Sequence, residues 1–132
     1  MYERMGCGMV DYADASYWQS LIKMSLSRYF VFHALAQGPK HGYEISKWVT
    51  EVTNGCCSPS EGALYPMMKE IEQGEYVECH TEMVSGRSRK IYTLTDKGRL
   101  AYDLARVSWT DAARLILEPN ESVSTCCSPK IK

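Results

Sequence analysis

The segment Ser60-Glu61-Gly62-Ala63-Leu64-Tyr65-Pro66-Met67-Met68-Lys69-Glu70-Ile71 constrains this chain more than any other. Leu64, Met67, Met68 and Ile71 recur at three- and four-residue steps, which places one apolar stripe on an α-helix. Ser60 precedes the stripe, where its oxygen can accept from the first free amides, and Glu61 sets an acid in the first turn, where the helix dipole favours it. The opposite face carries Ser60, Ala63, Tyr65 and Lys69, small and polar at its start and then aromatic and basic. A helix whose first turns enter a DNA major groove has this character, and so does an ordinary amphipathic helix.

After Gln73-Gly74 the apolar period falls to two. Tyr76, Val77, Cys79 and Thr81 to Val84 predict a strand, Ser85-Gly86-Arg87-Ser88 a turn, and Arg89 to Leu94 a returning strand. Arg87, Arg89 and Lys90 give this hairpin a basic tip, suited to phosphate contact.

Upstream, a long apolar helix is expected from about Tyr17 to Gln37 and ends at Gly38-Pro39. Its apolar residues lie on more than one face, so one face is expected to meet the core and another a second subunit. His41-Gly42-Tyr43-Glu44-Ile45 opens a second helix, with Ile45, Trp48, Val49 and Val52 as its buried stripe and Asn54-Gly55 as its stop. Tyr43 and Tyr92 are expected in the core. Thr95 caps a last helix from Asp96 to about Glu118, with Leu100, Leu104, Val107, Ala112, Leu115 and Ile116 as its stripe. The fold class is therefore mainly α with a small β-hairpin, a winged helix-turn-helix followed by one C-terminal helix.

Net charge is −1, so any DNA surface must be a local patch. The longest apolar run, Tyr29 to Ala36, is broken by His33 and is too short for a membrane span. The N-terminus has no signal-peptide pattern, so the expected compartment is the cytoplasm. No nucleophile-and-base signature is visible, and Cys79-His80 are strand neighbours pointing to opposite faces, so no enzyme is expected. His33, on an apolar helix, reads as a core histidine.

Three stretches together resemble the PadR family of transcriptional regulators: Gly38-Pro39-Lys40-His41-Gly42-Tyr43-Glu44-Ile45, Ser60 to Pro66, and Arg89-Lys90-Ile91-Tyr92-Thr93-Leu94-Thr95-Asp96-Lys97-Gly98-Arg99. One helix after the hairpin makes the chain similar to the short subfamily. The resemblance implies a homodimer, the last helix of one subunit packing with the first helix of the other. It also implies repression through an inverted-repeat operator in double-stranded DNA. Carried over by position, Ser60, Tyr65 and Lys69 would lie on the recognition helix, Arg87, Arg89 and Lys90 on the wing, and Tyr43 near the DNA backbone. The expected division is a flexible extension over 1–16, a winged helix-turn-helix over 17–95, a dimerisation helix over 96–118 and a Cys-containing tail over 119–132. The family usually has Glu-Gly where this chain has Gly74-Glu75, so Glu75 falls where positive φ is wanted and the helix end is expected to be reshaped.

The cysteines are the second departure. Cys7, Cys56, Cys57, Cys79, Cys126 and Cys127 are expected as reduced thiols. Cys-Cys-Ser-Pro occurs twice, at Cys56 to Pro59 and Cys126 to Pro129, without the spacing of a zinc motif. Vicinal thiols suit a soft ion such as trivalent arsenic, mercury or cadmium, with Cys56, Cys57, Cys126 and Cys127 as ligands. Cys79 reads as a packing residue and Cys7 has no assigned role. Two other effectors fit the sequence. A planar aromatic compound could stack on Trp109, whose position matches the drug-stacking tryptophan of multidrug-binding relatives, or the cysteine pairs could cross-link on oxidation.

Overall fold

The computed structural model describes residues 9–118. Its elements are α1 (Ala15–Ala36), β1 (Lys40–His41), α2 (Gly42–Thr53), α3 (Glu61–Gln73), β2 (Val77–Val84), β3 (Arg87–Leu94) and α4 (Asp96–Leu117). The strands form one antiparallel sheet in the order β1-β3-β2. This is the winged helix-turn-helix with one further helix.

Each helix starts at a side-chain cap. The Asp14 carboxylate accepts from the Ser16 amide at 3.0 Å, and Ser60 Oγ accepts from the Ala63 amide at 3.2 Å. Helix α2 uses a capping box: His41 Nδ1 faces the Glu44 amide at 3.4 Å while the Glu44 carboxylate accepts from the His41 amide at 3.0 Å. The first helix begins two residues earlier than the sequence predicts, because Asp14 supplies the cap. The Trp18 indole then donates to the Tyr12 carbonyl at 2.8 Å, so the residues just before the cap are held against the helix.

The core gathers where all four elements of the expected motif meet. Val31, Ala34 and Leu35 of α1, Ile45 and Val49 of α2, and Leu64, Met67, Met68 and Ile71 of α3 pack with Val77 and Tyr92 of the sheet. The stripe read for α3 is buried in full. In α2 the stripe is shorter than expected, since Val52 is 49% exposed beyond the edge of the core.

Two features of the hairpin differ from the sequence reading. The turn is two residues, Ser85-Gly86, both with left-handed backbone, at φ 52° and 77°. Arg87 and Ser88 therefore belong to β3, with Val84 paired to Arg87 and Met83 to Ser88. Strand β1 is an addition: Lys40 pairs with Tyr92 and His41 with Ile91.

The exit of α3 explains the Gly74-Glu75 order. The Glu75 amide donates to the Glu72 carbonyl at 2.9 Å and the Tyr76 amide to the Ile71 carbonyl at 3.1 Å, the two bonds of a Schellman ending. Glu75 takes the left-handed position at φ 66°. The ending is thus formed with its strain accepted, not reshaped. Gly74 has its own reason for lacking a Cβ, which would overlap the Tyr76 ring. Thr95 Oγ1 then donates to the Glu75 carbonyl at 2.7 Å, the Thr95 amide to the Tyr76 carbonyl at 3.1 Å, and Lys97 Nζ to the Gly74 carbonyl at 2.8 Å. Gly98 is packed so closely that a Cβ would overlap the Tyr76 carbonyl oxygen. The start of α4 is bolted to the end of α3.

Beyond that junction α4 is nearly bare. Only Gly98 and Tyr102 are buried. Leu100, Leu104, Val107, Leu115 and Ile116, the stripe expected to be covered, are 55–81% exposed in the protomer. The one deep attachment is Tyr102, whose hydroxyl lies 2.5 Å from His33 Nδ1 and whose ring stacks on Tyr29. Among the described residues no helix is long and apolar enough to cross a membrane.

Candidate nucleic-acid interface

Burying Leu64, Met67, Met68 and Ile71 leaves the opposite side of α3 to solvent. Ser60, Gly62, Ala63, Tyr65, Pro66 and Lys69 are all exposed, Tyr65 at 76%. Of these, the Ser60 hydroxyl already serves as the cap. Among the described residues Tyr65 and Lys69 make no side-chain hydrogen bond or ion pair, an aromatic hydroxyl and a cation one turn apart.

The hairpin divides its cations between two faces, because strand neighbours alternate. Lys90 shares the face of Tyr92 and Cys79, the side that packs on α3. Arg87 and Arg89 share the other face, toward β1 and the start of α2. There Arg89 Nη1 lies 3.1 Å from His41 Nε2, and Tyr43 stacks on the His41 ring at 6.4 Å between centroids. All three cations are exposed. Tyr43 is 73% exposed, against the expectation that it packs in the core, whereas Tyr92 is buried as expected, at 5%. Tyr43 is the second residue of α2, where the first turn projects from the body. His41 is the participant that the sequence reading passed over. Its place directly before Gly42-Tyr43-Glu44 was the available signal, since a helix cap must stand beside the first turn.

The two adjacent cysteines have different environments. Cys56 is exposed and Cys57 is 3% exposed, with their sulfurs 3.3 Å apart. Both lie in the loop that carries the chain from α2 into α3. The Cys57 amide donates to Thr53 Oγ1 at 3.3 Å, and Thr50 Oγ1 donates to Ser58 Oγ at 2.7 Å. Burial and the neighbouring Cys56 thiol push the Cys57 thiol up to about 11, so it is protonated at neutral pH. Cys126 and Cys127, the expected tail ligands, and Cys7 lie outside the described residues. Among the described residues no three His, Cys, Asp or Glu side chains converge as a metal site. Cys79 is half-buried opposite Tyr92, and burial raises its thiol as well, which fits a packing role. Trp109 is 39% exposed on the uncovered part of α4. His33 is enclosed by Tyr29, Phe30, Trp48 and Tyr102, and burial lowers its pKa, with Arg106 adding to the shift.

A family model described as the transcriptional regulator PadR-like family matches residues 31–104. A transcriptional regulator of Mycobacterium tuberculosis is 30% identical over 91 residues, which cover 68% of this chain and 81% of that protein. A PadR family transcription regulator of Clostridium difficile shares the fold at TM-score 0.62 and 23% identity, over 70% of this chain and 95% of that one. Bacillus subtilis PadR, solved in complex with operator DNA, matches at TM-score 0.56 and 25% identity, over 61% of this chain and 45% of its own.

Proposed function

Because this chain belongs to the PadR-like family of transcriptional regulators, and so is a regulator rather than an enzyme, we propose that it represses transcription by binding operator DNA as a homodimer. The observation that carries this reading is the exposed Tyr65–Lys69 side of α3 beside a hairpin bearing Arg87, Arg89 and Lys90. Tyr65 and Lys69 are the side chains for base edges in the major groove. Arg87 and Arg89 meet phosphates on one side of the wing and Lys90 on the side of α3, while Tyr43 reaches the backbone from α2. The second subunit covers α4, whose Leu104, Val107, Leu115 and Ile116 are at least 55% exposed. The compartment is then the one that holds the DNA, the cytoplasm.

The effector we propose is a soft metal or metalloid ion. Its support is the pair of sulfurs 3.3 Å apart in the loop that enters α3. Loading both sulfurs requires Cys57 to leave its buried position, which moves the Ser60 cap and re-aims α3. Cys126 or Cys127 supplies a further thiolate.

The test is fluorescence anisotropy of the reduced protein on the duplex upstream of its own gene. Repressor binding predicts an affinity that falls steeply as salt rises, and weaker binding for Lys69→Ala and Arg87→Ala. Titration with arsenite, mercuric or cadmium ion then reads the effector. Release by one ion near stoichiometry, absent in the Cys56→Ser Cys57→Ser double variant, supports the soft-ion reading. Binding that no ion releases overturns the effector alone.

A further inference from the structure

Pro66 is the sixth residue of α3, past the first turn, where every amide is expected to donate to the carbonyl four residues back. Its ring nitrogen carries no hydrogen, so the Gly62 carbonyl has no i+4 donor. Gly62 is exposed, its backbone is not left-handed, and an added Cβ would meet nothing within 4 Å. Among the described residues no packing contact requires a glycine at 62. Glycine and proline are the two poorest helix formers, yet here they stand four residues apart on one helix, Gly62 in its first turn and Pro66 past it. With Tyr65 and Lys69 they fall at steps of three and four, so the bare Cα, the proline ring, the phenol and the cation lie along one exposed face.

We propose that Gly62 and Pro66 determine operator specificity. The missing Cβ lets a base-pair edge approach the helix backbone, and the carbonyl that Pro66 leaves open accepts a hydrogen bond from that base's exocyclic amino group, cytosine N4 or adenine N6. Each base pair carries one such donor in the major groove, on one strand only. A backbone acceptor therefore reads which strand holds the amino group. The proposal rests on α3 being the helix that enters the DNA.

The test uses the full chain and an operator selected by the wild-type protein from a random duplex library. Each base pair of a half-site is then inverted in turn, and affinity is read by anisotropy alongside the thermal midpoint of each variant. Gly62→Ala is expected to raise the midpoint by a few degrees and to weaken operator binding by about tenfold or more, with binding to unrelated duplex little changed. Pro66→Ala restores the donor to the Gly62 carbonyl. It is expected to fold at least as stably and to lose most of the discrimination at one base pair, while other positions keep theirs. The proposal is overturned if Gly62→Ala binds the operator like wild type, or if Pro66→Ala discriminates fully at every position. A wild-type protein that selects no duplex at all overturns the DNA reading beneath it, an outcome visible before any variant is made.

Discussion

Helices α1 and α4 are each 22 residues long, but they are stabilised differently. The C-terminal half of α1 buries Val31, Ala34 and Leu35 in the shared core, while Trp18, Leu21, Ile22 and Met24 of its N-terminal half are 39–64% exposed. Helix α4 buries Gly98 and Tyr102 near its start and leaves Leu104, Val107, Leu115, Ile116 and Leu117 at least 55% exposed. An isolated helix of this kind is marginal in water, and most helical stability in proteins comes from packing an apolar face. The contrast separates what one chain can fold from what needs a second. The core of the helix-turn-helix and wing closes within one protomer; most of α4 and the N-terminal half of α1 stay outside it.

The sharpest way to break this contrast is in the core. Met68 is 2% exposed, and Met68→Ala should cost about 2–5 kcal/mol in denaturant unfolding. A cost much below that would mean that the core is looser than the packing shows. Next comes the outer face of α4. Leu104→Glu should convert a dimer to monomers in sedimentation equilibrium at micromolar protein, and the melting temperature should lose its dependence on concentration. An unchanged mass would remove α4 from the subunit interface. The link between the two regions gives a smaller effect. Tyr102→Phe deletes the hydroxyl that faces His33, at a cost of about 1 kcal/mol.

The same link sets a pH dependence. Burial lowers the His33 pKa below its ordinary 6.5. The unfolded chain therefore takes up the proton first, and stability is lost as pH falls from about 6.5 toward the folded value. Melting curves of His33→Gln should be flatter across that window; an equal slope would place the dependence elsewhere. The smallest effect is at the α3–α4 junction. Glu75→Gly relieves a left-handed non-glycine backbone costing about 1–2 kcal/mol, offset by about 0.4–1 kcal/mol of added chain entropy in the unfolded state, so it should stabilise by about 1 kcal/mol or less, with DNA affinity unchanged.

Helix α3 was legible from Ser60 to Gln73 because its cap, stripe and end are all local signals. The left-handed position of Glu75 was legible from the Gly74-Glu75 order, reversed against the family's usual Glu-Gly. The two residues of β1 carry no period of their own, and only the edge of β3 makes them a strand. The exposure of Tyr43 was not legible, since an aromatic residue one position into a helix reads alike whether the turn faces inward or outward. The stripe on α4 was visible, but periodicity reports that a face is apolar, not what covers it. Cys56 and Cys57 look identical in sequence, and only the path of the loop sends one sulfur into the core and the other to solvent.

The bolted junction between α3 and α4 has a mechanical consequence. A helix of 22 residues is about 33 Å long, and here one end of it is fastened to the exit of the helix proposed to read DNA. In a dimer in which the free length of each α4 packs against the partner subunit, the protein would be a pair of calipers whose jaws are the two α3 helices. A turn of a few degrees at the fastened end corresponds to about 2–3 Å of travel at the far end, over the same length. The opening of the jaws, and hence the half-site spacing that fits, is then set by the angle at which each α4 meets the partner subunit, far from any base pair.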